Sequence, residues 1–478
     1  MALTQFRMGR FSGIHQGVCE NWIEAGESAD ACNMDTAGGR LSVAKGYVHA
    51  FEIPFPTPAD VKRLFVWNAA GGRKVLAATR RALYVFEEGG DAWRQLYAFT
   101  DGSTDSTKFD FLTARIGSTA HLLVANGVSG VVKWDGGAGD AAAFGSAEGL
   151  SNVAVNYLEL YCNRLFAAGD PQHPGRLYWS QAPGGARTVE DWGTAAESEN
   201  VSGGHVEVGS DADPITGLVA LSNQLLIFQR DSVSRLLGDR PDNYRILPVN
   251  AAMRQPVHTA CTRYGDVPYF LTGGGMYLFD GQSVRKLSDA EKIRTVLENA
   301  DIERCVSAAY RDRLYFAVCE DRQAHNCADA VIVYDVLRGC YMLRRGFLVR
   351  GLCAAGDALY LMDGDGYVCR FEEGDTYAGA PIHAYWKTPL TDLDSKLSEK
   401  RLMELYLRGE GGLIQVEAES GGKTVYSRQL MPGDDDVLEA GMTGQGRAFR
   451  FCFRNVNGSR FTVDGGVEVL LDMQRRIL

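Results

Sequence analysis

Residues 313–316 read Arg-Leu-Tyr-Phe and residues 331–334 read Val-Ile-Val-Tyr. Each is a short run of aromatic and branched residues, the composition of a buried β-strand. The pair recurs along the chain. Its first member returns as Arg63-Leu64-Phe65-Val66, His121-Leu122-Leu123-Val124, Arg164-Leu165-Phe166-Ala167, Gln224-Leu225-Leu226-Ile227, Val267-Pro268-Tyr269-Phe270 and Ala358-Leu359-Tyr360-Leu361. Its second member returns as Leu83-Tyr84-Val85-Phe86, Val131-Val132-Lys133-Trp134, Leu177-Tyr178-Trp179, Met276-Tyr277-Leu278-Phe279 and Tyr367-Val368-Cys369-Arg370-Phe371, with 232–237 in the remaining slot. With starts at 64, 122, 165, 225, 267, 314 and 359, the separations are 58, 43, 60, 42, 47 and 45. A repeat of roughly 40–50 residues built only of strands implies an all-β propeller. A small twisted sheet cannot cover both its faces, and packing such sheets around an axis hides them. Seven units fit best and six come next; the alternative is two stacked β-sandwich domains.

The flanks differ from the repeat. Residues 1–55 are expected to form an N-terminal arm or a ring-closing strand, 56–381 the propeller, and 382–478 a small C-terminal antiparallel β-sandwich. Within the last segment, 402–407 and 413–418 read as strands paired across a glycine turn. Phe449, Phe451 and Phe453 alternate with polar residues, as on a half-buried strand. Asn457-Gly458 signals a two-residue hairpin with 460–463 returning. One helix is expected after Ser288, with Ser288 and Glu291 as a capping box and Ile293, Val296, Leu297 and Ala300 at helical spacing. The N-terminal arm or the C-terminal sandwich is expected to dock neighbours, and loss of residues 1–50 should disrupt assembly more than folding.

The 478 residues carry 49 Lys and Arg against 60 Asp and Glu, a net charge of −11, and no basic block, which argues against a protein that grips nucleic acid. No run of about 18 apolar residues occurs, so no membrane anchor is expected. The opening residues lack a secretory h-region. Eleven irregularly spaced cysteines read as free thiols of a protein made in cytoplasm.

Chemistry-bearing motifs are sparse. Gly273-Gly274-Gly275 lacks the Lys and Ser/Thr of a phosphate loop and reads as a tight turn. Cys319, His325 and Cys327 lie close together without a Cys-x-x-Cys partner. Asp363-Gly364-Asp365-Gly366 has the start of a calcium loop, but Tyr367 takes the next ligand position, so a β-turn is the simpler reading. Asp434-Asp435-Asp436 reads as a solvated loop. His205-Val206-Glu207 lacks the cysteines of a zinc deaminase. Asp170, Asp191 and Asp231 are candidate axial carboxylates of a glycosidase. Tyr84, Trp134, Tyr178, Tyr277, Tyr334 and Tyr367 recur at matched places, as inter-sheet packing or as a sugar platform. No catalytic, cofactor or metal residue is therefore assigned, and the protein is expected not to be an enzyme.

The segments Asn163-Arg164-Leu165-Phe166-Ala167-Ala168-Gly169, Gly175-Arg176-Leu177-Tyr178-Trp179-Ser180 and Glu190-Asp191-Trp192 resemble the blade signature of bacteriophage tail propeller proteins. Ile215-Thr216-Gly217-Leu218 and residues 225–233 continue the likeness, as do Phe11-Ser12-Gly13-Ile14, Ala31-Cys32-Asn33 and Trp386-Lys387-Thr388-Pro389 at the flanks. The resemblance implies a virion structural protein of the head-tail connector or tail nozzle of short-tailed phages, made in the host cytoplasm. It would form a homo-oligomeric ring, six-fold favoured, beside other tail or connector proteins, with genomic DNA passing close by without specific binding. The acidic charge would either keep that DNA from sticking or serve solubility alone. The other classes are a host-surface carbohydrate-binding or glycoside-cleaving propeller and a monomeric protein-interaction propeller.

Overall fold

The computed structural model describes residues 2–69, 71–99, 108–145, 150, 153–208, 210–251, 256–393, 396, 398–432 and 437–474. The triplet 434–436 lies outside them. Strands dominate, and the one α-helix among the described residues is the six-residue Arg294–Asn299. It is preceded by a 3-10 turn, Ala290–Ile293. Val296, Leu297 and Ala300 are buried as the spacing requires. The capping box does not form: Asp289 stands at the N-cap without a side-chain bond, and Glu291 pairs with Lys286 instead.

Five four-stranded antiparallel sheets follow one another in strict chain order. The first is Val61–Ala69, Gly72–Thr79, Ala82–Glu87 and Arg94–Ala98. The next four span 110–143, 157–207, 215–251 and 261–286. The sixth sheet has seven strands and runs Asp301–Tyr310, Arg313–Cys319, Ala328–Asp335, Cys340–Ala355, Ala358–Asp363, Val368–Phe371 and then Tyr47–His49 from the arm. Cys340–Ala355 is 16 residues long. Residues 340–345 pair with Ala328–Asp335, and 349–355 pair with Ala358–Asp363. It thus serves as fourth strand of one four-strand set and first strand of the next, with Gly346 in the left-handed region between (φ 94°).

The two recurring sequence runs are the second and third strands of each set. The second strands are buried on both faces, as all five residues of Leu225–Gln229 and all six of Ala358–Asp363 show, whereas third strands leave residues such as Lys133, Tyr178 and Arg370 half-buried or exposed. The exception is Leu64, which lies on the first strand of its sheet; the true counterpart of Leu122 is Val75, 47 residues earlier. The other long separation, between 165 and 225, is filled by residues 180–203, which precede the fourth strand of the third sheet. Buried Arg164 holds that excursion, donating to the carbonyls of Ser180 and Ser202 at 2.7 and 2.9 Å.

Apolar clusters join each sheet to the next. Trp67, Leu76 and Leu83 pack with Leu122, Val132 and Trp134. Leu123 and Val131 pack with Leu158 and Leu165. The chain also closes on itself, because Ala358, Tyr360, Met362 and Val368 pack against Val61, Leu64, Val75 and Phe86 of the first sheet. Four-stranded sheets in sequence, packed face to face and last against first, are a propeller-type fold.

The remaining strands form two further sheets that mix both chain ends. One contains Ala2–Met8, Met34–Asp35, Leu41–Val43, Glu399–Gly411, Val437–Gly441, Gln445–Gly446 and Phe461–Gln474. The other contains Asp30–Cys32, Tyr385–Lys387, Ile414–Ser420, Lys423–Leu430 and Arg450–Asn455. Both feed one apolar core that includes Phe11, Trp386, Leu402, Val416, Phe451 and Val469.

Two expected pairings are corrected here. Strands 399–411 and 414–420 do not pair with each other but enter different sheets. Asn457-Gly458 makes the expected turn, with φ of 53° and 74° and Ser459 N–H bonded to Val456 O. The strands it joins, however, also belong to different sheets. In both cases the apolar faces of consecutive strands must meet across one core, which a flat hairpin cannot achieve.

Candidate functional site

The first strand of each set lies nearest the centre of the ring, and side chains from distant sets meet there. Asp110, at the head of the second sheet, faces His258 before the fifth, with Oδ1 3.1 Å from Nε2. The same carboxylate accepts from Leu158 N–H at 2.8 Å and from its neighbour Phe111 at 2.9 Å. Burial depresses the His258 pKa, but the Asp110 carboxylate outweighs it and holds the imidazole above its usual value. Burial raises the Glu159 carboxyl, with Arg263 and a bond from Ala220 opposing it. Arg263 donates to Ala220 O at 2.7 Å, tying two neighbouring first strands, and Ser307 donates to Thr259 O at 2.9 Å, tying a first strand to the turn that leads into its neighbour. The thiols of Cys261, Cys305 and Cys353 are each held above the usual range by burial, which leaves them protonated and poor nucleophiles.

Beside this cluster opens a funnel of adjoining cavities of about 310, 310 and 480 Å³. Glu303 lines all three. In the first, Lys62, Arg63, Lys108, Arg304 and Arg350 surround that single carboxylate. Burial lowers the Arg63 pKa, and its Nη1 is buried without a hydrogen-bond partner. An acidic protein thus gathers five cationic side chains at this one cavity, of which Arg304 also pairs with Asp301 at 3.4 Å.

The residues singled out from the sequence are dispersed. Asp170 accepts from Tyr178 Oη at 2.7 Å, Asp191 caps the turn at Thr188 at 2.7 Å, and exposed Asp231 donates its N–H to Asp213. They do not act as one group. Gly273 and Gly274 form the turn between two strands of the fifth sheet, where Gly274 N–H bonds the Thr272 hydroxyl. Cys319 donates to the carbonyl of His325, while Cys327 borders the funnel. His205 and Glu207 lie on a half-exposed strand, with Glu207 paired to Arg176. The repeated aromatics find separate partners: Tyr84 meets Phe55, Trp134 meets Trp67, Tyr277 meets Phe270 and Tyr334 meets Tyr341. They pack within and between sheets and form no common platform.

Asp363 Oδ1 accepts from the N–H groups of Asp365 and Tyr367 at 3.0 and 2.9 Å, a β-turn as the sequence suggests. Its other oxygen faces His49 and Cys369, and these three are the one close cluster of possible metal ligands among the described residues. The funnel cations and the Asp110–His258 pair had no local sequence signal, because their members are spread over several strand sets; of the triad, Asp363 lay in a motif the sequence offered, while His49 comes from the other end of the chain.

No family model matches the chain, and no curated protein matches it. Similarity to solved structures is remote. The extracellular domain of a hybrid two-component system from B. thetaiotaomicron aligns with a TM-score of 0.44 and 11% identity, over 82% of this chain and 47% of that one. YCF48 bound to D1 peptide aligns at 0.40 and 10%, over 69% and 97%. A chain of the mitotic checkpoint complex aligns at 0.38 and 12%, over 69% and 93%. The chain spans about half the length of the first of these. The fold assignment rests on the sheets themselves. Among the described residues no helix is long and apolar enough to cross a membrane.

Proposed function

We propose that this protein is a non-enzymatic structural component of a bacteriophage tail or head-tail connector, assembling as a homo-oligomeric ring. The five four-stranded sheets and the two sets sharing Cys340–Ala355 make seven blades, with Tyr47–His49 closing the last. Residues 382–478, completed by strands from the first 43 residues, make a β-sandwich beside it. The observation that carries the reading is the distribution of exposed apolar side chains. Of the six large apolar side chains left exposed among the described residues, Trp22 (81%), Leu3 (62%) and Val18 (43%) fall within the first 22 residues, while Leu247, Leu337 and Met431 are scattered along the rest of the chain. A large apolar ring held in water is the usual anchor of a protein interface, and the occupant we assign to it is a second copy of this chain.

Light scattering and negative-stain microscopy of the purified chain test this. A closed ring of 52.2 kDa subunits is expected. Trp22→Ser is expected to shift it towards monomer with an unchanged circular dichroism spectrum. A wild-type monomer at micromolar concentration, or one that cleaves a glycoside, would overturn the proposal. Against glycoside cleavage, Asp110 already accepts two backbone N–H groups and faces His258, which leaves little of it to attack or protonate a sugar.

A further inference from the structure

We propose that His49, Asp363 and Cys369 bind a divalent transition metal of the zinc class, clipping the strand Tyr47–His49 to the sheet it completes. Cys369 and His49 are direct partners across an antiparallel pair, so their side chains leave the same face of the sheet. Asp363 ends the adjacent strand, Ala358–Asp363. His49 Nε2 lies 3.9 Å and Cys369 Sγ 3.8 Å from Asp363 Oδ2, and all three donor atoms lie within 4.8 Å of one another. A tetrahedral zinc ion with bonds of about 2.0–2.3 Å places its ligand atoms roughly 3.3–3.8 Å apart. Small side-chain rotations would therefore bring the three onto one ion.

The surroundings fix the ligands as metal sites do. Two backbone N–H groups hold Asp363 Oδ1 and aim Oδ2 at the other two residues. The His49 ring stacks on Tyr367 at 4.1 Å, which sets its plane. The His49 side chain is 29% exposed while Cys369 is fully buried, so an ion has a way in and water can take the fourth position. Burial raises the pKa of both Asp363 and Cys369, and a bound dication would relieve the charged forms of each. The donor set also selects the metal: imidazole and thiolate suit zinc or cobalt, whereas calcium takes oxygen ligands. On binding, the Cys369 thiol loses its proton to solvent and the sulfur bonds the ion.

Cobalt(II) titration of the full chain, freed of metal with a chelator, tests this. One equivalent is expected to give a thiolate-to-cobalt absorption band that zinc abolishes and calcium does not, and zinc is expected to raise the melting temperature. His49→Gln, a partly exposed position, is expected to weaken cobalt binding by more than about tenfold, the least that loss of even an outer-shell partner costs. Cys369→Ser is expected to remove the band. A folded wild type with no cobalt band and no zinc-dependent melting shift would overturn the proposal. So would a band that survives both substitutions and disappears with Cys327→Ser.

Discussion

Arg313 grips both carboxylate oxygens of Asp35, at 2.7 and 2.9 Å. The pair ties the sixth sheet to a strand contributed by the arm. Arg344, with a fully buried side chain, lies 3.5 Å from the same carboxylate and 3.6 Å from Glu372. Removing one member of such a cluster strands buried charge, which costs about 3–5 kcal/mol. Asp35→Ala is expected to lose stability of that order in urea unfolding. A loss under about 1 kcal/mol would show that the cluster decorates the interface rather than holding it.

The same carboxylate sets an acid limit. Burial pushes the Asp35 pKa up, but Arg344 and Arg313 prevail and hold it below the usual value. A depressed folded pKa gives stability that is present above the ordinary carboxylate range and lost as pH falls through the folded value. The stability gap between wild type and Asp35→Asn is therefore expected to be wide at pH 7 and to narrow below about pH 4. A gap independent of pH would contradict the assignment.

His258 has the opposite sign. Its pKa is raised by Asp110 despite burial, so its contribution is full below the ordinary histidine value near 6.5 and fades as pH rises through the folded value. Unfolding free energy measured from pH 6 to 9 is expected to fall more steeply in wild type than in His258→Gln. Parallel curves would show that folding leaves the imidazole pKa unshifted.

What was legible in the sequence follows from burial. The second strands of each set are covered on both faces and read as continuous apolar runs, and the third strands, buried at most positions, keep an aromatic and branched pattern. The fourth strands are half-exposed, as Gly204–Glu207 and Arg94–Ala98 show, and carry little pattern. The first strands turn polar residues such as Arg63, Asp110 and Glu159 inward, so the axial chemistry is spread over hundreds of residues. The mixing of chain ends was hidden for the same reason. Nothing local in Ala2–Met8 announces its seven-residue pairing with Phe461–Gln474.

That mixing reverses the expectation for the arm. Phe11 meets Trp386 edge-on at 5.5 Å, and Trp386 is only 1% exposed. Residues 1–50 supply strands to three sheets. Their deletion is expected to abolish cooperative unfolding, not only assembly. Trp386→Ala, a milder probe of the same junction, is expected to cost about 3–5 kcal/mol. A deletion variant that keeps the wild-type melting transition would refute the shared core.

The turn at Asn457-Gly458 separates backbone geometry from pairing. Both residues have positive φ, and a Cβ at Gly458 would stand 2.5 Å from Pro381 Cβ. Valine is excluded from that backbone region by its branched Cβ, at about 1–3 kcal/mol for each strained position. Gly458→Val is expected to show the larger loss, because it adds the collision with Pro381 to the strain. Asn457→Gly is expected to be nearly neutral, since glycine reaches positive φ freely. Because the turn carries the chain from one sheet to the other, Gly458→Val should loosen both sheets together. Hydrogen exchange would then show faster exchange in Arg450–Asn455 and in Phe461–Gln474 alike. Protection lost from one sheet alone would mean that the two do not share a core.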